Sequence, residues 1–111
     1  MIQRLFFLLS LFSSLLFAEE STPITVQLKW FHQFQFAGYY AALEKGFYKD
    51  EGFDVKLKER SNTTNSIQQV IHGEAQFGVA DSSLILHRMR GEKVKILASI
   101  FQHSPLIFIA R

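Results

Sequence analysis

The alternation of apolar and polar residues is clearest near the start of the chain, in the segment ITVQLKW at residues 24–30. Its apolar side chains fall on one face at a period of two, which predicts a β-strand. In residues 36–47 the apolar positions are spaced by four, three and four residues, as on one side of an α-helix, and Gly46 is placed to end that helix. The sequence therefore predicts a strand, a turn over residues 29–35, and a helix.

The succession of strand and helix occurs a second time. Over residues 53–60 apolar side chains alternate with charged ones, which predicts a strand with one solvent-exposed face at the edge of a sheet. Gly52, just before this strand, suits a turn with positive φ. A polar loop at residues 61–65 precedes the apolar side of a second helix at residues 67–71. We expect that helix to end at Gly73.

A third strand and helix are predicted at residues 75–80 and 83–90, and Asp81 lies where it can cap the helix. Residues 94–101 form an almost continuous apolar run, which is typical of a strand covered on both faces, and residues 106–110 predict one more strand. This order of elements indicates an α/β fold with a mostly parallel sheet, flanking helices and right-handed crossovers. In such a sheet ligands bind beside the carboxyl ends of the strands.

The first 18 residues have the features of a signal peptide. Arg4 gives a positive start, the following run is apolar apart from serines, and Ala18 supplies a small residue at the end. This run is shorter than the roughly 20 apolar residues that a transmembrane helix needs. We therefore expect residues 1–18 to direct export to the periplasm, residues 19–23 to be a mobile lead-in, and residues 24–111 to form part of one domain.

Charge and composition argue against several functions. The chain has 12 Lys and Arg against 10 Asp and Glu, and loss of Arg4 with the leader makes this 11 against 10. That near balance gives no electrostatic basis for binding nucleic acid or an anionic membrane. There is no cysteine, and the four histidines lack the spacing of a metal site. We expect no catalytic residue, no bound metal and no resident cofactor.

Polar and aromatic residues at the predicted strand ends are the candidates for a ligand site. Trp30 can offer a flat apolar surface to a heteroaromatic ring, or it can be a core residue, because it shares the apolar face of its strand. His32, Gln33 and Gln35 carry donors and acceptors that suit the nitrogens of such a ring, or they are exposed polar residues of a loop.

Further candidates follow along the chain. Tyr39 points about 100° away from its neighbour Tyr40 on the predicted helix, so Tyr40 faces the core and Tyr39 is the better ligand candidate. Asn62, Asp81 and Gln102 follow the second, third and fourth predicted strands, on the same side of the sheet as the end of the first. For Asp81 a helix cap is the simpler role. The candidate ligand-binding residues are Trp30, His32, Gln33, Gln35, Tyr39, Asn62, Asp81 and Gln102.

Several separated motifs carry a family resemblance. QLKW, HQFQFAGYYAALEKGFY, GFDV, GEAQFGVADSS and ILASIFQHSP occur in this order. Together they resemble the periplasmic substrate-binding proteins that serve ABC importers of sulfonates, thiamine-pyrimidine precursors and riboflavin. The resemblance implies a periplasmic-binding-protein type II-like fold of two lobes that close on a ligand. Residues 24–111 then correspond to the N-terminal part of the first lobe, so we expect an incomplete lobe, from a fragment or a truncated gene.

The resemblance implies a small heterocycle, such as a thiamine-pyrimidine precursor, as ligand and an ABC transporter permease as partner. The segments HQFQFAGYY and IFQHSP are also similar to extracytoplasmic sensor domains of histidine kinases and diguanylate cyclases, in which the partner is a fused signalling domain. A third relative is the thiamine-pyrimidine synthase, a single-turnover enzyme that consumes pyridoxal phosphate and its own histidine. The lysine and histidine of that branch correspond approximately to Ala80 and Leu84, which argues against synthase chemistry.

Overall fold

A computed structural model describes residues 20–103 and 107–110 of the chain. Three parallel strands form one sheet in the order β2-β1-β3. The strands are β1 (Thr22–Gln27), β2 (Phe53–Lys58) and β3 (Phe77–Gly78). The helices are a 3₁₀ turn (Phe34–Phe36), α1 (Ala37–Glu44), α2 (Phe47–Asp50), α3 (Ser66–Ile71) and α4 (Leu84–Met89). The predicted α/β class with a parallel sheet and flanking helices is confirmed.

β1 is the middle strand of the described sheet, and its burial follows from that position. Its neighbours are β2, in the register Ile24 to Val55, and β3, in the register Val26 to Phe77. Because β1 is covered on both faces, Gln27 and Leu28 are both fully buried although they point to opposite faces. β2 lies at the edge of these three strands, as its alternating pattern predicted.

A small apolar core holds the sheet and helices together. Phe36, at the entry to α1, is only 2% exposed and is the one aromatic side chain among the buried apolar residues of the described chain. Burial of such side chains is the main favourable contribution to the folding of a domain of this size. The buried apolar residues of the described chain are Val26, Leu28, Phe36, Val55, Ile67, Ala75 and Val94.

Two glycines make the turns between α1 and β2. The chain leaves α1 through Gly46, which has φ of 77°, and leaves α2 through Gly52, which has φ of 79°. Positive φ is costly for residues with a Cβ atom, so glycine is the residue that fits both turns. The predicted end of the first helix at Gly46 and the predicted turn at Gly52 are confirmed.

The start of α3 is fixed by a side-chain cap at Asn65. Its Oδ1 accepts hydrogen bonds from the backbone N–H groups of Ile67, at 2.9 Å, and Gln68, at 3.3 Å. We expect Asn65→Ala to lower the free energy of unfolding by about 1 kcal/mol, because these two N–H groups then lose their acceptor. Urea denaturation followed by circular dichroism measures the change. Asn62→Ala, in the same polar loop, is the control, and equal midpoints for the two variants would contradict the role given to Asn65.

The predicted strands at the C-terminal end of the chain are not formed. Residues 94–101 and 107–110 adopt no helix or strand. Apart from Val94, which is buried, their apolar side chains are exposed, as with Leu97 at 73% and Phe101 at 66%. An apolar strand is stable in a parallel sheet only where a neighbour pairs with its backbone and layers cover both faces, and no described element does this here. The predicted strand at 75–80 is also shorter, although hydrogen bonds of Gln76 and Val79 extend its pairing with β1.

Two sequence predictions fall outside the described residues. These are the signal peptide at residues 1–18 and the first residue of the strand predicted at residues 106–110. Within the ranges that the structure does describe, no helix is long and apolar enough to cross a membrane.

Candidate functional site

The backbones of β1 and β2 stay side by side beyond the ends of the two strands. The Leu28 N–H donates to the Lys58 carbonyl at 2.8 Å, and the Arg60 N–H donates to the Trp30 carbonyl at 3.1 Å. The parallel ladder therefore continues by several residues at the carboxyl edge of the sheet. This continued pairing places Trp30 beside Arg60, at the edge where open α/β sheets bind ligands.

Trp30 lies on the surface and not in the core. It is 43% exposed, and the Arg60 guanidinium carbon lies 5.0 Å from the centroid of its ring. Phe31 packs against it with ring centroids 5.6 Å apart and an interplanar angle of 72°. Of the two interpretations that the sequence left open for Trp30, the structure favours the exposed aromatic surface. A cation beside an aromatic face is itself a favourable contact.

His32 is held by two neighbours, one on each side. Its backbone N–H donates to Glu59 Oε2 at 3.0 Å, and its Nε2 lies 3.8 Å from the same oxygen. On the other side, His32 Nδ1 is hydrogen-bonded to the Tyr40 hydroxyl, and the two rings meet at 64°. Partial burial raises the pKa of the Tyr40 hydroxyl, and the negative charge of Glu59 raises it further. These contacts tie the turn after β1 to both β2 and α1.

The two tyrosines of α1 are placed differently from the sequence expectation. Tyr40, assigned to the core, is the one that contacts His32 in the turn. Tyr39, expected to be the better ligand candidate, packs against Phe36 with ring centroids 6.4 Å apart. The helix begins at Ala37 after a 3₁₀ turn, and Phe36 alone takes the buried position. Contact of Tyr39 with a ligand remains a prediction.

Asp81 links the end of β3 to the end of β1. Its Oδ1 accepts the Ser83 N–H at 3.0 Å, just before α4, and its Oδ2 lies 3.9 Å from Lys29 Nζ. The hydrogen bonds from Ser83, and secondarily the charge of Lys29, hold the pKa of the Asp81 carboxyl below its usual range. The sequence favoured a helix cap for Asp81, but the N-cap residue of α4 is Ser83, and Asp81 forms a turn just before it. The ion pair with Lys29 adds a contact to the segment after β1 that carries Trp30.

The depressed pKa of Asp81 predicts a pH-dependent contribution to stability. The ionised carboxylate stabilises the fold above the unfolded pKa of an aspartate, and this contribution is lost as the pH falls through the lower folded pKa, that is, below about pH 4. Denaturation midpoints of wild type and Asp81→Asn are therefore expected to differ at neutral pH and to converge on acidification. Asp54→Asn, on the exposed face of β2, is the control. A difference for Asp81→Asn that does not change with pH would contradict the assignment.

Gln27 connects the ends of β1 and β2 from inside the core. Its side chain is fully buried, and its Nε2 lies 3.1 Å from the carbonyl oxygens of Leu28, Lys58 and Glu59. Its Oε1 has no hydrogen-bond partner. Because one amide group joins the carboxyl ends of β1 and β2, Gln27 helps to fix the distance between the Trp30 turn and Arg60.

The other four candidate residues predicted from the sequence make no hydrogen bond or ion pair with Trp30, His32 or Asp81 among the contacts of the described residues. Gln33 and Gln35 are exposed on either side of the start of the 3₁₀ turn, and Asn62 is exposed in the loop after β2. The Gln102 side chain donates to the Ser99 carbonyl of its own segment at 3.0 Å. The strand expected to carry Gln102 to the carboxyl edge is not formed, so that placement lacks structural support. The participation of all four in binding remains a prediction.

Glu59 and Arg60 were not among the site residues predicted from the sequence, and Tyr40 was predicted to face the core. A usable signal was present for Arg60, because it ends the second predicted strand and parallel strands bring their carboxyl ends together. No sequence signal connects Tyr40 or Glu59 with His32. Within the described ranges, no group of three His, Cys, Asp or Glu side chains is arranged to hold a metal ion.

Comparison with known proteins identifies the family. The family model described as NMT1/THI5 like matches residues 33–111. The chain therefore belongs to the NMT1/THI5-like family, which confirms the resemblance found in its motifs. The match begins within the turn that carries His32 and includes α1, Glu59, Arg60 and Asp81.

One curated relative is similar over most of the chain. It is the riboflavin-binding protein RibY of Chloroflexus aurantiacus, which is 31% identical over 93 residues. The match covers 79% of the present chain and 26% of the relative. The chain thus spans about a quarter of the length of that protein.

Proposed function

We propose that this chain is part of an exported solute-binding protein that holds a small planar heterocycle beside Trp30. The exposed indole at the carboxyl edge of the sheet carries the proposal, because a flat aromatic surface that is fixed by its neighbours gains most from stacking on another flat ring. Binding is the whole role in this proposal, with delivery of the ligand to an ABC importer in the periplasm. The signal-peptide pattern at residues 1–18 supports the location.

Two kinds of ligand fit this proposal. The motif resemblance favours a thiamine-pyrimidine precursor, and the name of the relative favours riboflavin. Both carry a planar ring with nitrogen and exocyclic groups, which suits stacking together with hydrogen bonds to amide, imidazole, hydroxyl and carboxylate side chains. His32, Gln33, Gln35, Tyr39, Asn62, Asp81 and Gln102 are the proposed sources of those hydrogen bonds.

Calorimetric titration of the purified protein tests the proposal. The probes are riboflavin and hydroxymethylpyrimidine, and ribitol serves as a control that keeps hydroxyl groups but lacks a ring. We expect saturable binding of at least one of the two heterocycles and none of ribitol. Absence of binding by both heterocycles, or equal binding of ribitol, would contradict a site for planar rings.

A sensor is the second candidate function. The segments HQFQFAGYY and IFQHSP favour it, because they are similar to the sensor domains of histidine kinases and diguanylate cyclases. The ligand site stays the same, and the output changes from transport to signalling. The reading frame beyond the codon for Arg111 separates the two functions. A sensor requires a membrane span and a signalling domain there, whereas a transport protein requires a second lobe and a stop codon.

A further inference from the structure

The guanidinium of Arg60 lies beside Trp30, and its surroundings in the described part of the chain contain no acidic partner. Glu59, the adjacent residue, directs its carboxylate to the His32 backbone N–H at 3.0 Å. Asp81, the acidic residue near the end of β1, pairs with Lys29 and with Ser83. Among the described residues, no carboxylate lies within salt-bridge distance of Arg60. Glu59 and Asp81 thus contact other groups, and neither of these two carboxylates neutralises the charge of Arg60.

The position of Arg60 is fixed by the main chain. Its backbone N–H donates to the Trp30 carbonyl at 3.1 Å, so the two residues are held together whatever their side chains do. The side chain lies over the indole at 5.0 Å and is only partly exposed. A guanidinium that contacts an aromatic ring through its π-system keeps N–H groups that can donate hydrogen bonds in its own plane. An arginine in this arrangement can donate two parallel hydrogen bonds to an anion that lies at the edge of the ring.

The geometry points to a ligand that combines a planar ring with an anionic group, the ring against Trp30 and the anion on Arg60. This inference rests on the proposed function and narrows it, since it selects the charged members of a heterocycle series, such as phosphate esters, over the neutral ones. Arg60 is the residue that determines this specificity. Neither the family match nor the name of the relative specifies such a charge.

Matched ligand pairs test the inference directly. Flavin mononucleotide against riboflavin, and hydroxymethylpyrimidine phosphate against hydroxymethylpyrimidine, differ only in the phosphate. In whichever pair binds, we expect the phosphate ester to have an affinity roughly 10- to 100-fold higher than that of the compound without phosphate. A charge-assisted bidentate contact allows a difference of this size. Arg60→Met removes this preference because it keeps an apolar side chain on the indole and deletes the charge. Arg60→Lys retains part of it, and Arg90→Met, an exposed arginine at the end of α4, leaves it unchanged.

This experiment distinguishes failure of the role given to Arg60 from failure of the proposed binding of heterocycles. Equal affinity for the two members of a pair overturns the role of Arg60 and leaves the proposed binding of heterocycles intact. Binding of no member of either pair overturns the proposed function and, with it, this inference. A phosphate preference that survives in Arg60→Met overturns the assignment of the anion to Arg60.

A second measurement needs no ligand. Trp30 is the single tryptophan of the chain, so the intrinsic tryptophan emission comes from it alone. A cation beside the ring concentrates iodide there, and we expect the quenching constant for iodide to fall roughly twofold in Arg60→Met at constant ionic strength. Quenching by caesium rises, and quenching by neutral acrylamide stays the same if the turn keeps its fold. Equal iodide quenching in wild type and Arg60→Met, with acrylamide quenching also equal, overturns the inference.

Discussion

Replacing Gln27 by leucine is expected to lower the free energy of unfolding by about 2–4 kcal/mol, although leucine has nearly the same size and is more apolar. The buried Nε2 lies 3.1 Å from three carbonyl oxygens that belong to the ends of β1 and β2. The Lys58 carbonyl keeps the Leu28 N–H as a donor, whereas the Leu28 and Glu59 carbonyls lose the side-chain donor. A buried acceptor without a donor retains its full desolvation cost.

Chemical denaturation of Gln27→Leu measures this loss. Gln68→Leu, on α3, is the matched control, because it makes the same change at a half-buried position away from the strand ends. The Oε1 of Gln27 has no partner, so the expected cost arises from the Nε2 side of the amide. An unfolding free energy of Gln27→Leu equal to that of wild type would show that these contacts are not needed to hold the two strand ends together.

Replacing Trp30 by alanine is expected to weaken binding of a planar heterocycle roughly 100-fold, because the ligand loses both the burial of its ring and the stacking contact. The same variant should cost only about 1 kcal/mol of stability, since Trp30 is 43% exposed and its main partner is the Arg60 cation. Phe36→Ala, in contrast, is expected to lower the free energy of unfolding by about 3–5 kcal/mol, because Phe36 is only 2% exposed.

Calorimetry and urea denaturation on the two variants separate these effects. Unchanged affinity in Trp30→Ala would remove Trp30 from the ligand site. A stability loss in Trp30→Ala as large as that in Phe36→Ala would return Trp30 to the core, which the sequence alone left as an equal alternative.

The sequence predicted secondary structure and turns correctly where a short pattern of residues determines the local backbone geometry. The alternation at residues 24–30 predicted β1, although the strand is Thr22–Gln27 and so includes part of the predicted lead-in. The change of period predicted α1, and Gly46 and Gly52 mark turns that require positive φ. The rule that parallel strands expose their carboxyl ends at one edge located the Trp30 turn beside that edge. Each of these inferences depends on a few neighbouring residues and on one general property of sheets.

The predictions that failed, and the contacts that were not predicted, depend on which helices and strands meet in three dimensions. Gln27 is polar and lies in an alternating pattern, so its complete burial follows only from the central place of β1. The contact of Arg60 with Trp30 requires the register between β1 and β2, which a single sequence does not specify. The apolar run at residues 94–101 predicts a strand by composition, but pairing needs a neighbour that the described part of the chain does not provide.

The emission of Trp30 during a ligand titration tests the central claim most directly. If the indole forms the ligand surface, saturating riboflavin or hydroxymethylpyrimidine changes this single-tryptophan signal with the same dissociation constant that calorimetry gives. Calorimetric binding with no change in Trp30 emission would place the ligand elsewhere on the molecule and contradict the account.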